Sequence, residues 1–368
     1  KLAYVGDWSN NCYHNKGIKY YKNGSIEYDG NFVGSLKHGE GKYYAENGLL
    51  KYDGSWVSGF KQGHGTEYKE NTYTKESDIY YVGSWHKNHF EGQGILYYIK
   101  EKNKEDIIAY TGQFNEGIKE GLGKFYYSNN KLCYEGQFGD GKYNGLGKFY
   151  DDDGNLVYEG QFLNDLRHDL NGKYYWNDGT RYEGGFQKGL KDGQGCEFHP
   201  NGKLRSKGQY KNCVRNGKSI VYYPSGNIYY DGNFKNNNYD GYGILYRDNE
   251  HNSIIHDGYW KDDILNGFVK SYDESGKLVF KGNYHNGKFN GNGILYYDNG
   301  ETYEGVFKEG KEHGTGILYH NYGYYKYEGE WKDGKRCDIG KFQYQLNDCN
   351  IFKYVSEDYT KFKDIQNK

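Results

Sequence analysis

The 368-residue chain contains no methionine and only two prolines. So little proline fits a sheet in which nearly every backbone N–H serves a ladder, because proline cannot donate. There is no apolar run approaching 18 residues and no signal-peptide pattern, so nothing in the chain is expected to span a membrane. Hydrophobic residues make up only 35%, a level that by itself suggests disorder. The net charge of −2 offers no bulk attraction to nucleic acid or to anionic lipid, and no nucleic-acid partner is expected. The six cysteines (Cys12, Cys133, Cys196, Cys213, Cys337 and Cys349) have neither CxxC nor zinc-finger spacing. They read as free thiols of a reducing, cytoplasmic compartment. Of 12 scattered histidines, His86 lies near His89 and His251 near His256, but no carboxylate or cysteine set completes a tetrahedral metal site.

What the chain has in abundance is tyrosine, 46 residues of it, and glycine, 56. They recur in step. The motif Tyr-x-Gly-x-(Trp/Phe) stands at Tyr4-Gly6-Trp8, Tyr28-Gly30-Phe32, Tyr52-Gly54-Trp56, Tyr81-Gly83-Trp85, Tyr110-Gly112-Phe114 and Tyr134-Gly136-Phe138. It continues at Tyr158-Gly160-Phe162, Tyr182-Gly184-Phe186, Tyr230-Gly232-Phe234, Tyr303-Gly305-Phe307 and Tyr327-Gly329-Trp331. Weaker copies at Ser206-Gly208-Tyr210, His256-Gly258-Trp260 and Phe280-Gly282-Tyr284 bring the total to 14, usually 24 residues apart. A fixed period of this size is the mark of a repeat architecture, which overrides the expectation of two or three globular domains from length alone.

Each repeat reads as one β-hairpin. In Tyr327-Glu328-Gly329-Glu330-Trp331 aromatic residues or glycine alternate with charged ones, the pattern of a strand with one covered face. A second strand follows, as in Gly291-Asn292-Gly293-Ile294-Leu295-Tyr296-Tyr297. Asn-Gly and Asp-Gly dipeptides (Asn23-Gly24, Asn47-Gly48, Asp153-Gly154, Asp178-Gly179, Asn201-Gly202, Asn299-Gly300) predict tight turns between repeats. The connection within a repeat, such as Lys308–His313, is expected to be longer. The sum is an all-β, elongated, single-layer, twisted antiparallel meander of about 28 strands over residues 1–340, on the order of 130 Å long. Many glycines are expected to let an aromatic ring lie on the backbone, with Trp56, Trp85 and Trp331 over theirs; turn chemistry alone is the other reading.

This pattern resembles the MORN repeat (membrane occupation and recognition nexus). Tyr303-Glu304-Gly305-Val306-Phe307-Lys308-Glu309-Gly310-Lys311-Glu312-His313-Gly314-Thr315-Gly316-Ile317-Leu318 follows its consensus closely, and the resemblance covers about residues 1–340. Long arrays of this kind occur in axonemal proteins, such as those of the radial spoke head, and in cytoskeletal structures of parasitic protists. The resemblance therefore implies a non-enzymatic scaffold that joins proteins in a ciliary, axonemal or cortical cytoskeletal assembly, with self-association as a further expectation. Two other implications compete with it: a phosphoinositide-binding or membrane-apposition module, and the accessory array of a larger enzyme. No kinase or SET-like region lies in the sequence. The many Gly-x-Gly pairs belong to the repeat and not to a phosphate loop. No catalytic residue, metal site or cofactor is expected.

The departures from the period are informative. Glu70–Asp78 and Lys100–Ile108 lengthen two successive inter-repeat turns on one side, as a binding surface or as drift. Arg247–Ile255 is a smaller expansion. The seventh repeat is degenerate over Leu163–Leu170, repeats nine and eleven begin with Ser206 and His256, and Val269 replaces a glycine. These read equally as a bend or as a surface shaped for a partner. Residues 341–368 form a capping strand and tail or a short helix, with Ser356 as its cap. The chain opens on a strand without an initiator methionine, which suggests a trimmed segment. The face of stacked tyrosines and the two lengthened turns are the expected contact surfaces.

An array of this kind should give a radius of gyration in solution scattering well above the roughly 21 Å of a globular chain of equal length. A value near that figure would exclude the elongated meander.

Overall fold

The computed structural model describes residues 2–99, 105–320, 325–346 and 349–354. The chain divides into two compact bodies, Lys1–Leu190 and Lys191–Lys368. Each is an antiparallel meander in which a strand pairs with its neighbours in sequence, and the described residues contain no helix. Among the described residues there are 30 strands, two more than 14 hairpins supply. One arises because the seventh repeat breaks its second strand between Arg167 and Asp169, and the other is Cys349–Tyr354, paired with Lys341–Leu346. The short helix expected beyond Ser356 lies outside the described residues.

The turns are distributed otherwise than the dipeptides predict. The two-residue turns fall within the repeats: Val33 pairs with Leu36 across Gly34-Ser35, whose φ angles are 58° and 66°. Two consecutive left-handed residues make a type I′ turn, whose twist matches that of the strands. Lys87-Asn88, Glu116-Gly117 and Asp262-Asp263 do the same. The Asn-Gly connections between repeats are the longer ones. At Asn23-Gly24 only the glycine is left-handed, at 103°. Gly24 N donates to Tyr21 O at 3.0 Å and Tyr21 N to Ser25 O at 2.9 Å, a type I turn closed by one left-handed glycine. Asn23 is there for its side chain: Oδ1 accepts from Ser25 N at 2.8 Å, and Nδ2 donates to Glu46 O of the next turn at 3.0 Å.

The core is made where two glycines meet. Gly30 faces Gly41, Gly54 faces Gly65 and Gly136 faces Gly147. The motif tyrosine lies across each pair. A β-carbon on Gly54 would come within 2.6 Å of His64 O and 2.9 Å of the Tyr52 hydroxyl, and one on Gly65 would overlap the Tyr52 ring. Tyr28, Tyr52, Tyr81, Tyr110 and Tyr134 are fully buried in consequence. Their hydroxyls stay satisfied: Tyr52 donates to Ser55 O at 3.1 Å and Tyr110 to Gln113 O at 2.9 Å.

The tryptophans have a different place from the one expected. Tyrosine takes the seat over the glycines, and each Trp or Phe wedges between successive tyrosines. Tyr28–Trp56, Tyr52–Trp56 and Tyr52–Trp85 meet edge to face at 5.7, 5.0 and 5.2 Å. Trp56 Nε1 donates to Gly41 O at 3.0 Å and Trp85 Nε1 to Gly65 O at 3.1 Å, back to the preceding repeat. The row continues through Tyr81–Phe114, Tyr110–Phe138 and Tyr134–Phe162 at 5.3, 5.1 and 5.3 Å. It recurs in the second body as Phe280–Phe307 and Tyr303–Trp331 at 5.3 and 4.9 Å. Each such pair contributes about 0.5–1.5 kcal/mol beyond the area it buries.

The irregular repeats keep this packing by exchanging volume. His256 replaces the tyrosine of repeat eleven, and the facing glycine becomes Val269, which is fully buried in the vacated space. A β-carbon on Gly258 would lie 2.8 Å from Val269 Cγ2. In repeat nine Ser206 replaces tyrosine and Ser219 stands opposite Gly208. The seventh repeat absorbs one extra residue before Gly172, and the Asp169 carboxylate accepts from Gln161 N at 2.7 Å and Asn171 N at 2.9 Å.

Two predictions follow from the packed tyrosines. Val269→Gly alone should cost about 2–4 kcal/mol through its cavity, and His256→Tyr alone about 1–3 kcal/mol through its clash with Val269. The double variant should recover more than 1 kcal/mol of the sum, roughly the coupling of side chains in contact. Additive costs in denaturant unfolding would refute the exchange.

The second concerns alkali. Burial, with nearby carboxylates adding to it, pushes the Tyr28, Tyr52, Tyr81 and Tyr303 phenols well above the ordinary value of 10. The native state holds these protons while the unfolded chain releases them above pH 10. Stability is therefore intact below pH 10 and falls as the pH rises further. Loss of the β-sheet circular dichroism should coincide with the late rise in tyrosinate absorbance; full ionisation of the tyrosines with the sheet intact would contradict it.

Candidate interaction surface

Nine residues after most motif aromatics stands a side chain that caps the ring. Tyr13 stacks on Tyr4, Phe90 on Tyr81, Tyr143 on Tyr134 and Tyr239 on Tyr230, each at 3.9 Å, and Phe289 stacks on Phe280 at 3.8 Å. In several other repeats a cation takes the position. Lys61 Nζ is 4.8 Å from the Tyr52 ring centroid and Lys119 Nζ is 5.3 Å from that of Tyr110. The Arg336 guanidinium is 5.3 Å from the Tyr327 ring. Lys37 Nζ sits among three rings, 3.8 Å from Tyr43, 4.7 Å from Trp56 and 5.3 Å from Tyr28. Burial pushes its pKa down to about 8. Sequence reasoning missed this position because its residues share no chemical type. They share a flat or extended apolar body that covers a ring.

The cap alters where contacts can form. The motif tyrosines are sealed between glycines and cap, so their rings offer no surface to a partner. The opposite face, where the alternate residues point, carries large exposed apolar side chains. In the first body these residues line a groove of about 890 Å³. Lys124–Glu135, Lys148–Glu159 and Lys173–Glu159 form a row of alternating charge across it at 3.4, 3.9 and 3.7 Å. Leu122 and Leu146 also line it and are 64% and 59% exposed. The same face of the second body carries Tyr242, Tyr259 and Phe268 with about half their surface open. Tyr242 and Tyr259 are cross-strand partners with ring centroids 5.7 Å apart.

Of the lengthened turns, Glu70–Asp78 is closed by its own hydrogen bonds. Its flanks extend the hairpin to the pair Glu70–Ser77. The buried Asn71 donates to Asp78 Oδ2 at 2.6 Å and accepts from Tyr73 N at 2.8 Å, which holds Tyr73 at the tip, 69% exposed. In Lys100–Ile108, residues 100–104 lie outside the described residues; beside them Tyr98 N donates to Ile107 O at 3.0 Å. Arg247–Ile255 is tied down by Arg247, whose guanidinium donates to Ile254 O and Tyr272 O at 2.9 and 3.0 Å.

The remaining candidates form no chemical centre. His86 and His89 are partners across a tight turn, where His86 Nδ1 lies 3.3 Å from Gln62 Nε2. His256 packs inward against Ser271 Oγ at 3.0 Å, while His251 is exposed on its turn. Cys12, Cys133, Cys196, Cys213 and Cys337 are free thiols. Among the described residues no three His, Cys, Asp or Glu side chains are grouped to hold a metal ion, and no helix is long and apolar enough to cross a membrane.

Against known proteins, the MORN repeat model matches residues 4–26, 28–49, 52–71, 81–100, 110–131, 134–156, 158–168, 171–181, 230–250, 280–302, 303–323 and 327–345. A MORN repeat variant matches 191–212, 215–236 and 265–286, which include the repeats that begin with Ser206 and Phe280. No curated protein shows significant similarity to the chain. With the facing glycines, the tyrosine across them and the 24-residue period all in place, the chain belongs to the MORN-repeat family.

Proposed function

We propose that this chain is a non-enzymatic scaffold that holds proteins together in a cytoplasmic assembly of the cytoskeleton, at a cilium, axoneme or cell cortex. The observation that carries the proposal is the division of labour between the two faces. One face spends its aromatic residues on bracing the array. The other presents exposed Leu122 and Leu146 over a row of paired charges, and exposed Tyr242, Tyr259 and Phe268. Apolar anchors within a polar surround are the usual anatomy of a protein interface, with aromatic residues enriched in it. The cytoskeletal setting rests on the resemblance to long MORN arrays.

The partners recovered by proximity labelling of the intact protein provide the test. Leu122→Glu with Leu146→Glu should reduce partner recovery at least about tenfold, the loss expected when buried apolar anchors are replaced by charge. Trimming Glu70–Asp78 and Lys100–Ile108 back to the 24-residue period should leave the fold intact and weaken recovery further. Unchanged recovery in both variants would remove these surfaces from the interface. Tight binding to phosphoinositide vesicles at physiological salt, with no protein partner, would replace the scaffold with a membrane module.

A further inference from the structure

In the second body the strand ends beside the two-residue turns carry a charge pattern that the fold does not ask for. Lys308 faces Lys311 and Lys332 faces Lys335 as direct cross-strand partners. His285 faces Lys288 in the repeat before them. Like charges placed opposite one another destabilise a sheet. All six side chains are exposed. Lys288 has an ion-pair partner in Glu309 at 2.8 Å, whereas among the described residues Lys308, Lys311, Lys332 and Lys335 form no salt bridge. Nothing in the hairpin requires lysine here, because the same positions of the first body hold Val33 with Leu36, Val57 with Phe60 and Leu163 with Leu166.

On the other side of the same body three successive turns, at 247–255, 273–277 and 298–301, are rich in acidic residues, with Lys277 an exposed cation among them. The turns between repeats expose Asp248, Glu250, Glu274 and Asp298. Both sides are cut from one repeat, so successive turns on either side lie two strands apart, about 10 Å. A second copy in the same orientation, laid alongside and displaced along the sheet by about two repeats, brings the lysine-bearing turns against acidic turns at matching intervals.

We propose that the chain associates side by side with copies of itself, the Lys308, Lys311, Lys332 and Lys335 side of one molecule against the Asp248, Glu250, Glu274 and Asp298 side of the next. This rests on the scaffold reading and names one of its partners as the chain itself. The contact is heterologous, so each molecule keeps one free side of each sign and the association extends as an open row. Exposed ion pairs are individually weak and screened by salt. Their repetition along one side is what gives the contact its strength.

Sedimentation velocity of the full chain over a concentration series, at about 50 mM and about 500 mM salt, tests this. The wild type should gain mass with concentration at low salt and lose that gain at high salt. Reversing the basic side (Lys308→Glu, Lys311→Glu, Lys332→Glu, Lys335→Glu) should weaken self-association at least tenfold, and so should reversing the acidic side (Asp248→Lys, Glu250→Lys, Glu274→Lys, Asp298→Lys). Mixed together, the two variants should associate again, because each carries the complement of the other. The circular dichroism of each variant must match the wild type; where the fourfold change unfolds the chain, Lys332→Glu with Lys335→Glu alone should still weaken association. A wild type that stays monomeric at low salt overturns the proposal, as do variants that associate like the wild type or fail to recover on mixing. A monomer that binds an acidic peptide or anionic vesicles through the four lysines also overturns it. Partner recovery through Leu122 and Leu146 is measured separately, so a monomer that still recovers its partners refutes this proposal and leaves the scaffold standing.

Discussion

A tyrosine ring laid over two glycines that face each other on adjacent strands is the contact on which each regular repeat depends. With no β-carbons in the way, the ring rests on peptide backbone and is fully buried without a second layer of structure, as at Tyr52 over Gly54 and Gly65. Glycine within a strand is unfavourable, because it loses more conformational freedom than any other residue. The cost is offset by the ring it seats, the hydroxyl bond to the carbonyl three residues on, and the edge-to-face contacts to the Trp or Phe on either side. Those contacts pass from one repeat to the next, so neighbouring repeats stabilise one another although each is only a hairpin.

The exceptions obey the same constraint. The slot between facing strands has a fixed volume, which a tyrosine with two glycines fills and which Val269 beside His256 fills as well. Repeat nine answers with polar groups. Burial works to raise the Glu197 pKa, but Lys191 at 2.6 Å and Arg215 at 3.1 Å outweigh it and hold the carboxyl below its usual range. Ser206 Oγ meets Tyr210 Oη at 2.8 Å in the same cluster. Ser219 Oγ and Arg215 Nε remain buried without a hydrogen-bond partner, the less complete solution of the two.

The hairpins, their antiparallel order and the pairing of aromatics with glycines were legible in the sequence, because a 24-residue period repeated over the chain leaves little ambiguity. The turns were misread. A type I′ turn needs two left-handed residues, and here Ser35, Lys87 and Glu116 adopt that conformation under the strands' constraint, although none of them signals it. The Asn-Gly pairs between repeats, such as Asn23-Gly24 and Asn47-Gly48, serve instead as a side-chain acceptor followed by one left-handed glycine. The cap on these tyrosines was invisible for a related reason: Lys37, Phe90 and Tyr143 look unrelated in sequence and are equivalent in what they cover. The motif tyrosines, expected at a contact face, are core for the same reason, since they lie under a cap. The groove face carried a readable signal in Leu122 and Leu146, which stand where other repeats have Glu40, His64 or Gln93.

Bracing from within has a consequence for how such an array can specialise. Glycine, tyrosine and the Trp or Phe wedge are fixed by packing, and the cap is fixed in shape. The outward face and the strand ends contribute little to the fold, so their side chains can change without loss of register. Val57 with Phe60 at one turn and Lys332 with Lys335 at another are alike to the backbone and opposite to a partner. Recognition in this chain is therefore written at positions the repeat leaves free, and a repeat-by-repeat difference there is a statement about contacts, whereas a difference at a tyrosine or its glycines is a statement about packing.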